Sequence, residues 1–96
     1  MYIKIFNKHI FSSKIIFVKK IQIDLHHFDD LIDFMKTVRS FDSDINIIKG
    51  SIVYDAKSIL AVISLSRTEN LFVEIITYNT SEELRFCEEM KRFRKE

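Results

Sequence analysis

Apolar positions along this chain switch period several times, and each switch marks an element. From Lys14 to Ile23 the sequence is dense in β-branched and aromatic residues (Ile15, Ile16, Phe17, Val18, Ile21, Ile23), the set that suits a pleated surface. Phe28, Leu31, Ile32, Met35 and Val38 then recur at spacings of three and four, which predicts a helical face and a helix over about 27–40. Asp24, Asp29 and Asp30 gather at its front, with Lys36 and Arg39 near its end, matching the helix dipole at both ends.

Two short strand-like runs follow, Asp44 to Ile48 and Ser51 to Ala56, separated by Lys49-Gly50. Glycine there permits the positive torsion of a tight hairpin turn. The run from Ser58 to Leu65 has the composition of a buried strand. Ser58 is a good N-cap, however, and the run reads as a short helix. Ser66 to Asn70 is polar and reads as a loop, and Leu71 to Tyr78 as a further strand. Thr80 and Glu83 have capping-box spacing at the front of a last helix. Leu84, Cys87, Met90 and either Phe86 or Phe93 are expected to form its apolar face, and Lys91, Arg92, Arg94 and Lys95 crowd its C-terminal end. Residues 1–13 read either as a short strand or as a flexible extension, and stand apart from a domain over 14–96. The order is β-α-β-β-α-β-α, an α+β arrangement with three helices on one face of a four-stranded, at least partly antiparallel sheet.

Ninety-six residues give room for one domain. With no Trp, the nine Phe carry most of the large buried area. Fifteen basic residues against fourteen acidic ones leave a formal net charge of +1, without the basic excess of a nucleic-acid binder. One cysteine, Cys87, precludes an intrachain disulfide, and its spacing is that of a core position. No apolar run reaches the roughly 18 residues of a membrane span, and Met1–Phe11, broken by Lys4 and Lys8, reads poorly as a signal peptide. A cytoplasmic location is the expectation. A single glycine excludes a Gly-rich phosphate loop, so common nucleotide-binding enzymes are not expected. Asp29 and Asp33 share a helical face near His26 and His27, but no fourth ligand is spaced to close a metal site. Neither metal nor cofactor is expected.

The segment Phe41-Asp42-Ser43-Asp44-Ile45-Asn46-Ile47, followed by Ala56-Lys57-Ser58-Ile59-Leu60-Ala61-Val62-Ile63-Ser64-Leu65, resembles the HPr family of phosphocarrier proteins of the bacterial sugar phosphotransferase system. HPr proteins carry an aspartate-rich segment after the first helix. They then carry a Lys-Ser-Ile-(Met or Leu)-Gly-Val-(Met)-Ser-Leu signature. Spacing and element order agree over roughly residues 14–95. The resemblance implies an open-faced β-sandwich and a protein without catalytic turnover of its own. It also implies protein partners: Enzyme I, a serine kinase, a transcriptional regulator or sugar transporter components.

By the same resemblance, Ser58 matches the serine that a dedicated kinase phosphorylates in the Gram-positive branch. Lys57, Ile59, Leu60 and Ile63 would form a partner-binding surface around it. A phosphate at a helix N-terminus is electrostatically reasonable, and a plain N-cap is the alternative role for Ser58. Counting back without gaps places the family's phosphate-accepting histidine on His27, or on His26 if the match slips by one. The family's following Ala-Arg-Pro is here Phe28-Asp29-Asp30. A phosphorylated ring carries close to two negative charges, and carboxylates in place of a cation oppose them. The functional expectation is a regulatory or protein-binding module of HPr type. The alternatives are a working phosphocarrier using His27, or a component that uses the fold alone.

Overall fold

The computed structural model describes residues 9–11 and 14–96; residues 1–8 and 12–13, part of the segment set apart above, lie outside the described residues. The elements run β1 (His9–Phe11), β2 (Lys14–Ile23), α1 (Phe28–Arg39), β3 (Asp44–Lys49), β4 (Ile52–Asp55), α2 (Ile59–Leu65), β5 (Leu71–Thr77) and α3 (Thr80–Glu89), closed by a 3-10 turn over Met90–Phe93. The sheet order is β1-β2-β5-β3-β4 and every pairing is antiparallel. The four-stranded sheet β2-β5-β3-β4 carries three helices on one face, as the pattern predicts, and the three-residue β1 adds to its edge beside Lys14–Ile16.

Alternation along the central strands decides which face is covered. In β5, Leu71, Val73, Ile75 and Thr77 are buried, while Ile76 on the other face is exposed. Ile45 and Ile47 of β3 and Ile21 and Ile23 of β2 complete the helix-facing layer. A residue on a strand between two others contacts neighbours on both sides, so burying this period-2 set drives the helices onto that face. Gly50 turns the β3–β4 hairpin at φ 62°, with Lys49 and Ile52 paired across it. A glycine at the first central position of a two-residue turn supplies that torsion without strain. Asn70 enters β5 with φ 58°, a conformation asparagine tolerates better than most residues.

The helix layer packs on aromatics. Phe34 of α1 meets Phe93 edge to face at 5.4 Å, and Phe41 meets Phe86 at 6.1 Å. The Arg85 guanidinium lies over the Phe41 ring at 3.7 Å while donating to the Ser40 hydroxyl and carbonyl, each at 2.9 Å. After Phe93 the chain lies against β2. The Asp24 amide donates to the Phe93 carbonyl at 2.8 Å, and the Lys95 amide to Gln22 at 3.0 Å. That contact ties the C-terminal segment to the residues just before α1.

Three sequence expectations are corrected. The cap of α3 is Asn79, whose side chain accepts from the Glu82 amide at 3.1 Å; Thr80 is the first helical residue and no Thr80–Glu83 capping box forms. Glu83 is instead buried, within 3.7 Å of the Lys19 ammonium. Leu84, placed on the apolar face of α3, is 61 % exposed, because rotation about the helix axis puts Phe86, Met90 and Phe93 inward. Phe28 of α1 is likewise 70 % exposed, and Phe34, absent from the predicted stripe, is fully buried in its stead. Among the described residues no helix is long and apolar enough to cross a membrane.

Candidate functional site at the α1 and α2 N-termini

The polypeptide leaves β2 at Ile23 and reaches α1 through Asp24-Leu25-His26-His27. Leu25 is buried and anchors this crossing. Asp24 organises it. One carboxylate oxygen accepts the His26 amide at 2.9 Å and also meets His26 Nδ1 at 2.5 Å. The other ring nitrogen, Nε2, lies 3.1 Å from the Glu69 carboxylate, which reaches in from the turn between α2 and β5. The bond to Asp24 raises the His26 pKa above its ordinary value, despite some desolvation, with Glu69 adding to the effect. The His26 amide, followed by its ring, holds the Asp24 carboxyl below the usual range.

His27 sits differently. It is the N-cap of α1, with extended backbone (φ −85°, ψ 131°), and its carbonyl accepts the Leu31 amide at 3.0 Å. Its ring is exposed and makes no capping bond. Phe28 projects beside it, and the first turn carries Asp29 and Asp30. The two adjacent histidines are therefore chemically distinct. Both ring nitrogens of His26 face carboxylates, whereas the His27 ring stands in solvent at a helix N-terminus with two acidic neighbours. An added anion there would meet favourable amides and unfavourable carboxylates together.

Ser58 begins the second part of the site. It is the N-cap of α2, exposed, and its hydroxyl accepts from the Ala61 amide at 3.4 Å. That distance is long for a capping bond, so the hydroxyl is held loosely. Asp55 arranges the approach: its carboxylate accepts the Lys57 amide at 2.9 Å and its carbonyl the Ser58 amide at 3.0 Å. The Lys57 ammonium turns away from Ser58 and donates to the Phe41 carbonyl at 2.7 Å, tying α2 to the segment after α1. Ile59, Leu60 and Ile63 are 47 %, 78 % and 49 % exposed, while Val62 and Leu65 bury the opposite side. Residues 58–66 contain no charged side chain, so this short helix offers an uncharged, apolar outer surface.

Between α1 and α2 lies a groove of about 360 Å³. Phe28, Leu31, Ile32 and Met35 line it from α1, Ile63 and Ser64 from α2, and Ser66, Arg67, Leu25 and His26 close one end. It runs beside the first turns of α1 and the last turn of α2, and its lining includes neither His27 nor Ser58. Sequence reasoning missed Phe28 as a surface residue, and missed the roles of His26, Arg67 and Glu69. A polar run at 66–70 was legible as a loop, but nothing in it announced that Glu69 would reach His26. Beyond the C-terminal end of α1, Glu82 accepts the amides of Asp42 and Ser43, at 3.1 and 2.8 Å, and the Ser43 hydroxyl. Burial pushes its carboxyl up, but these donors outweigh burial and leave the pKa lowered. Glu82 thereby fixes the aspartate-rich segment, a structural task. Among the described residues no three His, Cys, Asp or Glu side chains gather as a metal site.

Comparison with known proteins places this arrangement. Among the solved structures similar to the chain are two HPr proteins. Phosphocarrier protein HPr from Bacillus anthracis str. Ames aligns with TM-score 0.61 and 22 % identity over 82 % of this chain and 98 % of its own. HPr-C-His from Thermoanaerobacter tengcongensis aligns with TM-score 0.59 and 23 % identity over 79 % of this chain and 89 % of its own. No curated protein matches. Residues 31–95 match the sequence profile of the PTS-HPr family, described as "PTS HPr component phosphorylation site". The matched segment contains Ser58 and starts after His27. On that match, which covers well over half of its length, this chain belongs to the PTS-HPr family.

Proposed function

We propose that the chain is an HPr-type regulatory or protein-binding module, with residues 14–96 as its domain. In this reading it works in the cytoplasm, docks proteins through Ile59, Leu60, Ile63 and Phe28, and is modified at Ser58. The observation that carries this reading is the pairing of an exposed, loosely bonded Ser58 hydroxyl with an uncharged apolar surface on the same helix. A phosphate there would place about two negative charges beside three exposed aliphatic side chains. A partner resting on those side chains would meet the phosphate directly, so modification would change docking. Partners of this type are a serine kinase or a transcriptional regulator, with Enzyme I belonging to the second reading. The Asp29-Asp30 pair beside His27 weighs against phosphate transfer as the main task.

The second reading, a phosphocarrier, is favoured by one observation: the His27 ring is exposed at a helix N-terminus and is not tied up as His26 is. In that reaction a ring nitrogen of His27 attacks the phosphorus on phosphorylated Enzyme I. The donor's P–N bond breaks as the new one forms, and the same exchange passes the phosphoryl group onward. Like charge at about 4 Å in water costs on the order of 1 kcal/mol, so Asp29 and Asp30 would slow the transfer without forbidding it.

Intact-mass spectrometry separates the readings. One sample is incubated with Enzyme I and phosphoenolpyruvate, another with the serine kinase and ATP. Phosphate added only in the second, stable to acid and absent from Ser58→Ala, supports the regulatory module. Phosphate added in the first, lost in mild acid and absent from His27→Ala, supports the carrier and overturns the ranking.

A further inference from the structure

We propose that His26 is a proton-operated clamp: its imidazolium joins the loop leading to His27 to the α2–β5 turn, and losing one proton releases that turn from the end of the α1–α2 groove. The geometry carries the inference. A neutral imidazole has one N–H, and an imidazolium has two. Here both ring nitrogens face carboxylates, Asp24 at 2.5 Å and Glu69 at 3.1 Å. The Glu69 contact is an ion pair, and the Arg67 backbone is a further acceptor for the ring, so Asp24 and these partners are all satisfied only when the ring carries both protons and its charge. The two carboxylates come from different parts of the chain: Asp24 from the β2–α1 loop, Glu69 from the turn before β5.

The charged groups around the ring decide which contact yields. Asp24 holds the His26 amide as well as the ring, so that contact is doubly made. Glu69 has a competing partner, the Lys95 ammonium at 3.3 Å on its other oxygen. When the ring proton leaves to solvent, Nδ1 keeps its hydrogen on Asp24 and Nε2 becomes an acceptor. An acceptor facing a carboxylate repels it, and Glu69 swings away on its existing Lys95 contact. Arg67, whose backbone also favours the charged ring, lies in the same turn and lines the groove with Phe28, Met35 and Ile63. Release of Glu69 therefore loosens the groove's polar end. The raised His26 pKa agrees with this and sets the direction: the clamp is closed at lower pH and opens above the ordinary imidazole range.

The inference does not depend on whether Ser58 or His27 is phosphorylated. The experiment is NMR of the full, unmodified chain, ¹⁵N-labelled and with ¹³C-methyl methionine, titrated through neutral pH. The His26 ring should titrate with a midpoint above 6.5, the ordinary imidazole value, and carry protons on both nitrogens below that midpoint. The Met35 methyl and the amides of residues 66–70 should shift in step with its titration, while the fully buried Met90 methyl stays still. Glu69→Gln alters a largely exposed side chain, so the fold should persist. It should lower the His26 midpoint and abolish the coupled shifts. Asp24→Asn should lower the midpoint further. A His26 midpoint at or below 6.5 would overturn the proposal. So would residues 66–70 and Met35 ignoring the titration, or Glu69→Gln leaving the coupling intact.

Discussion

The Lys19 ammonium and the Glu83 carboxylate face each other at 3.7 Å between sheet and α3, with side chains only 12 % and 6 % exposed. Among the described residues Glu83 Oε2 has no hydrogen-bond partner, and the Lys19 ammonium is the charge that faces it. Removing one member of such a pair leaves an uncompensated buried charge, which typically costs about 3–5 kcal/mol. Lys19→Met, which strands the Glu83 carboxylate, should lose about 3 kcal/mol of stability in urea titrations. The double change Lys19→Met with Glu83→Leu should recover most of that loss. A loss below about 1 kcal/mol in Lys19→Met would show that water reaches Glu83.

The α3 cap can be tested by two neighbouring substitutions. Asn79→Ala removes an acceptor for the Glu82 amide and should cost about 1 kcal/mol. Thr80→Ala, at the first helical position, should change stability by less than about 0.5 kcal/mol. The reverse order of effects would restore the capping box that the sequence spacing suggests.

Two adjacent helices offer a contrast between surface and core. Phe34 is fully buried in α1 against the edge of Phe93, and Phe34→Ala should cost about 3–5 kcal/mol. Leu60 is mostly exposed on α2, so Leu60→Ser should leave thermal unfolding almost unchanged. In the regulatory reading the same Leu60 change should slow phosphorylation of Ser58 by its kinase, measured as initial rates. An unaltered rate would remove Leu60 from the docking surface.

Stability should peak between two titration limbs. Asp24 and Glu82 have lowered pKa values, so their contributions are present above about 4 to 4.5 and are lost as pH falls through the folded values. His26 has a raised pKa, so its contribution is complete below about 6.5 and is lost as pH rises through the folded value. Denaturation midpoints measured from pH 3 to 9 should show both limbs. Glu82→Gln should flatten the acid limb and leave the neutral one in place.

If Asp29 is what opposes phosphate at His27, Asp29→Arg should speed phosphorylation by Enzyme I and phosphoenolpyruvate. Replacing repulsion by attraction at an exposed site is worth roughly 1–2 kcal/mol, or about 5- to 30-fold in rate. Quenched-flow phosphorylation of the two proteins checks this. Equal rates would mean that the acidic turn is not the obstacle.

Elements set by local preference were legible in the amino-acid sequence. The β-branched run at 14–23 became β2 over the same residues, Ser58 capped the helix it precedes, and Gly50 took the positive torsion of its hairpin. Each of these depends on near neighbours, whose torsional and capping preferences are set within a few residues. The exposure of Phe28, the burial of Phe34 and the turning of Leu84 to solvent were decided by tertiary structure. Helical spacing shows which residues share a stripe, but the sheet determines which stripe faces inward. The candidate site divides the same way. Ser58 and His27 could be picked out from a linear signature. The separate fates of His26 and His27 depend on Glu69 arriving from a distant turn, and the inward reach of Lys57 depends on the Phe41 carbonyl. No local pattern encodes such contacts, because they form only once the helices have docked on the sheet.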